Sequence, residues 1–214
     1  MSDVPGWLAD LAVAARSMTV PASQRPPRTG GRPSAVLVLF GEGPGGPDLL
    51  YIQKSTGLRR HAGQPAFPGG GLEADEIADP DGGAVAAALR EAREEVGVDP
   101  AGVEVLGTLP EMFIPRSGYR VVPVLAWWRV PTAVRPVDVG EVAAVERIAI
   151  ADLVDPGHRF MIRNPSGWVS PAFRAGSMLI WGFTAGLTAL LLQLGGWEQP
   201  WDASRVRELP EGAV

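Results

Sequence analysis

The sequence predicts a layered α/β domain, and three observations carry that prediction. Short apolar runs bounded by glycine and proline, Ser34 to Phe40 and Leu49 to Gln53 among them, have the length of buried strands. Segments with helical spacing or helical length, 82–96 and 175–197, lie among and after those strands. With 214 residues, 46% of them hydrophobic, the chain suffices for one well-filled core and is short for two. Strands interleaved with helices pack as layers around such a core.

Taken in order, Trp7 to Ser17 reads as a short amphipathic helix, which the prolines at 21, 26, 27 and 33 cannot continue. Residues 1–33 are thus expected to pack onto a main domain at 34–196, with a tail at 197–214. Ser34 to Phe40 and Leu49 to Gln53 form a strand pair joined by a turn from Gly41 to Pro47. Residues 82–96 form a helix that Asp81 is placed to cap and Gly97 to end, with Pro100 soon after. Val103 to Leu109, Tyr119 to Val130 and Val142 to Ile150 follow as strands, and Pro110 to Gly118 as a loop placed to lie across a substrate. Asp152-Leu153-Val154 then leads through an irregular stretch containing Pro165 and Pro171 into a terminal helix. The uncharged stretch 175–197 is long enough to cross a bilayer. Gly176, Gly182, Thr184, Gly186, Thr188 and Gln193 dilute its apolarity, and no basic cluster flanks it, so a buried helix is favoured over a membrane anchor.

Composition narrows the function classes. A formal charge of -5 gives no general basic field, against a dedicated nucleic-acid binder. Cysteine is absent and histidine occurs twice, leaving no thiolate chemistry and little material for a zinc site. The start, Met1-Ser2-Asp3-Val4, has no basic segment followed by an apolar run, so a cytoplasmic location is expected. Self-association into a homodimer is left open.

The chemistry concentrates in the 82–96 helix. With 3.6 residues per turn, Val85, Leu89, Ala92 and Val96 fall on one stripe, and Glu91, Glu94 and Glu95 on another sector. A salt-bridged surface helix is the plain alternative, and Arg90 and Glu94 do form a favourable pair four residues apart. Glu91 and Glu95 share that spacing with like charge, which costs roughly 0.2 to 0.5 kcal/mol. Hard carboxylate oxygens beside a surface kept low by Ala84, Ala87 and Ala88 suit Mg²⁺, which bridges protein carboxylates to phosphates.

The run Arg90-Glu91-Ala92-Arg93-Glu94-Glu95-Val96-Gly97-Val98, behind the glycine turn Phe67-Pro68-Gly69-Gly70, resembles the Nudix box of the Nudix hydrolase family. One departure stands out: 13 residues separate Glu76 from Arg90, where the box has seven. Glu73 to Pro80 then reads as a surface insertion, and the early acid of the box is either Asp81 or Glu76. Leu50 to Ser55, Leu58-Arg59, Gly63 and Phe67 to Gly70 resemble the segment marking the coenzyme A pyrophosphatase branch, with Lys54 where arginine is usual. Ser117-Gly118-Tyr119, Val122-Pro123-Val124 and Ile180 to Ala185 fit the same branch.

The resemblance implies a Nudix α/β/α sandwich with a mixed central sheet, and a hydrolase dependent on Mg²⁺ or Mn²⁺. It implies cleavage of the pyrophosphate of coenzyme A or its thioesters. Another nucleoside diphosphate derivative, such as ADP-ribose or NADH, is the alternative substrate, and a silent Nudix-fold binding module the alternative class. Glu91, Glu94 and Glu95 are the implied metal ligands, with the backbone carbonyl of Gly69, while Arg90 orients a box glutamate. Gly69 and Gly70 let the backbone approach closely, and Lys54, Arg59 and Arg60 are candidates for phosphate contacts. Glu141 is the candidate general base, with Glu111 in reserve. His61 reads as structural, His158 has no assigned role, and of the Trp127-Trp128 pair one ring is expected to face the core and the other solvent or a partner.

Overall fold

The computed structural model describes residues 4–58 and 61–210. In chain order the elements are helix α1 (Gly6–Arg16), strands β1 (Arg32–Gly43), β2 (Gly46–Lys54), β3 (Pro65–Ala66) and β4 (Gly69–Gly71), then helices α2 (Ala74–Ala78) and α3 (Gly83–Val96). There follow β5 (Val103–Thr108), β6 (Met112–Ile114), β7 (Tyr119–Trp128), β8 (Val142–Ala149), α4 (Ile150–Val154), β9 (Arg159–Arg163), β10 (Val169–Ala175), β11 (Met178–Ile180), α5 (Gly182–Leu194) and β12 (Val206–Glu208).

The central sheet is mixed. β1 runs parallel to β7 from Arg32 with Tyr119 to Phe40 with Trp127, while its other pairings are antiparallel. On its opposite edge, β1 pairs with β2 only from Phe40 with Leu49 to Gly43 with Gly46, closing a tight turn shorter than the sequence reading expects. Towards the start of β1, that same edge takes β4 instead, with Ala35 opposite Gly70 and Val36 opposite Gly69. Because β3 lies on the end of β2, at Ile52 and Gln53, the short β3–β4 segment wedges between two diverging strands. That wedge positions the site.

Strand alternation sends successive side chains to opposite faces, and both faces are covered. Val38, Phe40, Leu49, Tyr51 and Trp127 join a core with α1, α4 and α5. Leu37, Leu39, Leu50, Ile52 and Trp128 join the other with α3. The α/β/α arrangement follows, and it corrects one expectation: Trp127 and Trp128 do point to opposite faces, yet neither meets solvent, at 7% and 1% exposure. Trp127 packs edge-on with Trp7 of α1, whose ring also meets Trp197 beyond α5.

Helix α3 matches its predicted span, and its predicted stripe of Val85, Leu89, Ala92 and Val96 does face the core, but the deepest burial falls on smaller neighbours. Its buried positions are Gly83, Ala87, Ala88, Ala92, Glu95 and Val96, with Val85 and Leu89 half-buried. Small alanines let the helix settle close to the sheet, and this rotation carries Glu95 inward. Gly97 ends the helix in the left-handed conformation (φ 75°), as expected. Asp81 does not cap the start: it is exposed, and Asp79 Oδ1 accepts from the Asp81 and Gly82 N–H groups instead.

The stretch 175–197 breaks into the end of β10, β11 and the thirteen-residue α5, and no helix among the described residues is long and apolar enough to cross a membrane. Thr184 donates to Pro65 O (2.9 Å), and the Thr188 and Tyr51 hydroxyls pair at 2.9 Å, anchoring α5 under β2 and β3. The region expected to be irregular holds a second sheet of order β11-β10-β9-β12, and β12 comes from the tail.

Gly83 sits where α3 meets α2, and a side chain there would come within 2.6 Å of the Glu76 carbonyl carbon. Helix propensity alone makes Gly83→Ala favourable by about 1 kcal/mol. The clash is expected to reverse the sign to a loss of about 1–3 kcal/mol, measurable by urea denaturation.

Candidate active site

The wedge leaves a cavity of about 290 Å³ lined by Lys54, Leu58, His61, Gly69, Gly70, Glu91, Glu95, Tyr119 and Glu141. Each wall has a local cause. Lys54 lies at a bulge in the β2–β8 ladder, between Gln53 and Lys54, and bulges re-aim the side chains beside them. Across that bulge Ser55 N donates to Glu141 O (2.8 Å), which brings Glu141, just before β8, to the same wall.

Two of the three glycines of β4 lie in close approach, Gly69 against backbone and Gly70 against a carboxyl. A side chain on Gly69 would fall 2.7 Å from Val36 Cα, and one on Gly70 would fall 2.5 Å from Glu91 Cδ. Bare backbone at these positions lets α3 place Glu91 and Glu95 against β4. The Gly69 N–H donates to Glu95 Oε2 (3.0 Å), and the Lys54 ammonium binds Glu95 Oε1. Glu95 is only 2% exposed. Burial pushes its carboxyl above the ordinary range, Lys54 and the Gly69 N–H oppose the rise, and Glu91 adds to it.

Arg90 is the hub of the outer layer. Its Nε and Nη2 donate to the two oxygens of Glu76 (2.9 and 3.1 Å), Nη1 to Glu91 (2.9 Å) and Glu94 (3.2 Å), and Nη2 also to Gly71 O (3.1 Å). Of the two candidate early acids, Glu76 is the one engaged with the box arginine. The extra residues are no plain surface insertion: α2 starts with a capping box between Glu73 and Glu76 that aims Glu76 at Arg90. The Arg90 hydrogen bonds hold the Glu76 carboxyl below the ordinary range.

The structure thus gathers Lys54, Gly69, Gly70, Glu91, Glu95 and Glu141 around one cavity, while Glu94 is not in its lining. The Glu94 side chain is 59% exposed and held on Arg90. Arg59 and Arg60 lie outside the described residues. Glu111 pairs with Arg120 (2.6 Å) and does not line the cavity. Three wall residues had no functional role assigned from sequence. Leu58 and Tyr119 lay inside matched segments, and His61, read as structural, does bond through Nδ1 to Gln64 Oε1 (2.8 Å) while also facing the cavity. A larger depression of about 470 Å³, beside Trp201 and Arg205, holds none of the sequence-marked residues.

Three carboxylates against one ammonium leave the cavity rich in hard, negative oxygen. That donor set fits a hard divalent cation, although among the described residues no three acidic or histidine side chains yet converge on one point.

The Glu76–Arg90 pair is a stability device with a definite sign. A carboxylate held below its ordinary value of 4.5 contributes stability above that pH and loses it as pH falls through the folded value. Glu76→Gln is expected to cost about 2–3 kcal/mol at neutral pH. The gap from wild type should narrow progressively in urea titrations as pH falls below 4.5 and through the folded value.

Residues 31–166 match the model of the NUDIX domain family. A protein of Escherichia coli K12 described as an uncharacterized Nudix hydrolase, NudL, is 38% identical over 174 residues, covering 77% of this chain and 83% of its own length. The NudL of Shigella boydii serotype 4 is 37% identical over the same length. Among solved structures, the chain is similar to the Nudix hydrolase RenU of M. smegmatis (TM-score 0.46, 23% identity, 59% of this chain and 76% of that one). It is also similar to the NUDIX domain of Shewanella oneidensis NrtR, solved with ADP ribose (TM-score 0.43, 23% identity, 58% and 77%). With its box arginine and glutamates gathered at a glycine wedge, with the family match over residues 31–166 and with 38% identity to NudL, the chain belongs to the Nudix hydrolase family.

Proposed function

We propose that this protein hydrolyses the pyrophosphate bond of coenzyme A or acyl-coenzyme A, giving 4′-phosphopantetheine or its acyl form and adenosine 3′,5′-bisphosphate. The observation that carries the hydrolytic reading is the cavity walled by Glu91, Glu95 and Glu141 beside the bare backbone of Gly69 and Gly70. The coenzyme A assignment rests on the matches at Leu50 to Ser55, Leu58-Arg59, Ser117 to Val124 and Ile180 to Ala185.

Nudix hydrolases generally use divalent cations, and Mg²⁺ or Mn²⁺ bound here would neutralise phosphate charge and lower the pKa of a bound water. Glu91 and Glu95, with the Gly69 carbonyl, would hold it, and Glu94 would join them on leaving Arg90. Arg90 is a positioning residue: it fixes the Glu91 carboxylate and makes no contact with the cavity itself. Glu141 is exposed in the turn just before β8 and lines the same cavity as the α3 glutamates, where it would serve as the base that takes a proton from the attacking water. Lys54 and Arg59 would supply positive charge to a phosphate in the cavity, and Gly70 would present backbone to it.

One observation favours a second reading, cleavage of another nucleoside diphosphate derivative such as ADP-ribose or NADH. The Lys54 ammonium is committed to Glu95, so a phosphate contact expected of the coenzyme A branch is not free.

Mass spectrometry of products from coenzyme A, acetyl-coenzyme A, ADP-ribose and NADH with Mg²⁺ decides among these. Adenosine 3′,5′-bisphosphate is the expected product, and Glu95→Gln is expected to lower turnover at least about a hundredfold while retaining the fold. Cleavage of a different substrate would replace the coenzyme A assignment. Wild-type turnover in Glu95→Gln would remove Glu95 from the metal site, and no cleavage at all would favour a binding module.

A further inference from the structure

Lys54 lines the cavity yet is engaged with a carboxylate rather than left free for a phosphate. Its ammonium lines the substrate cavity and is bound to Glu95, the most deeply buried carboxylate there. Both oxygens of that carboxylate are taken, Oε1 by Lys54 and Oε2 by the Gly69 N–H. A hard cation and the ammonium are therefore rivals for one oxygen.

Building on the metal-dependent reading above, we infer that Lys54 is a resident counter-cation of Glu95, which a divalent cation displaces towards the substrate phosphate. Three features support the exchange. The base of the side chain is fixed, since Lys54 N donates to Gln64 O (2.9 Å) at the β2 bulge, so only the stem has to move. The stem is a flexible four-carbon chain ending in a point charge with three rotatable donors, which tolerates two positions better than the planar fork of arginine. The walls supply the driving force: a divalent charge at the same distance attracts Glu95 twice as strongly as the ammonium does. Once displaced, the ammonium remains in a cavity whose natural occupant is an anionic diphosphate.

The exchange makes metal and phosphate binding cooperative. Metal binding alone releases Lys54 without a partner, whereas metal and phosphate together give it one. Lysine at a position where the branch resemblance leads one to expect arginine then has a role of its own.

The test is Mn²⁺ binding, followed by electron paramagnetic resonance of the free ion, without catalysis. Wild type, Lys54→Met and Lys54→Arg are titrated with and without inorganic pyrophosphate, each first checked for a native thermal transition. Without its rival, Lys54→Met is expected to bind Mn²⁺ about tenfold tighter than wild type, and to lose most of the enhancement by pyrophosphate. Lys54→Arg, which keeps the charge but has the stiffer fork, is expected to bind Mn²⁺ no tighter than wild type and to show a smaller enhancement by pyrophosphate. Equal or weaker Mn²⁺ binding by Lys54→Met overturns the inference, as does Lys54→Arg binding Mn²⁺ as tightly as Lys54→Met. If wild type binds Mn²⁺ and only these differences are missing, the displacement idea fails while the proposed function stands. If wild type binds no Mn²⁺, both fail together.

Discussion

The constraint on which the rest of the structure depends is the absence of side chains along β4. With Gly69 against the backbone of Val36 and Gly70 against Glu91, this short strand fills a gap only as wide as bare backbone. Helix α3 can then rest on the sheet through alanines rather than larger residues, and Glu95 is drawn into contact with Gly69 and Lys54. A buried carboxylate is costly. Here the cost is offset by an N–H on one oxygen and an ammonium on the other, so the fold holds a buried carboxyl in place with its own atoms.

Outside that buried layer, Arg90 ties five acceptors from three segments into one network: Glu91 and Glu94 on its own helix, Glu76 on α2, and Gly71 at the end of β4. The fork of a guanidinium suits this task because its donors are fixed in a plane. The six additional residues between Glu76 and Arg90 do not disturb the arrangement, since the capping box of α2 restores Glu76 to the reach of Arg90. Chain length between two partners matters little when a local turn sets the direction of approach.

Much of this was legible in the sequence because it rests on local rules. Helix α3 could be bounded from Gly97, and the strands from apolar runs between glycines and prolines. What escaped depends on partners distant in the chain. Periodicity assigned Val85 and Leu89 to the buried stripe, but the narrow gap above β4 selects alanine, which turns Glu95 inward and Glu94 outward. Local spacing offered Asp81 and Glu76 equally, and only the position of Arg90 separates them. Trp127 and Trp128 alternate as a strand requires, yet whether a face is wet depends on α1 and α3, which the strand itself does not encode. Tyr119 reaches the cavity because β7 runs alongside β1, a pairing with no local signature.

The second sheet changes what counts as the independently folding unit. The family match ends at residue 166, in the turn between β9 and β10, so that boundary cuts a hairpin in two. A chain trimmed there would deprive β9 of the strands on both its flanks and bare Phe160 and Ile162, which are now 2% exposed. Unpaired backbone beside apolar side chains is a template for pairing with other chains. The stretch matched by the family model thus stops short of the full second sheet, and Val206–Glu208 covers an edge of β9 that would otherwise stand unpaired.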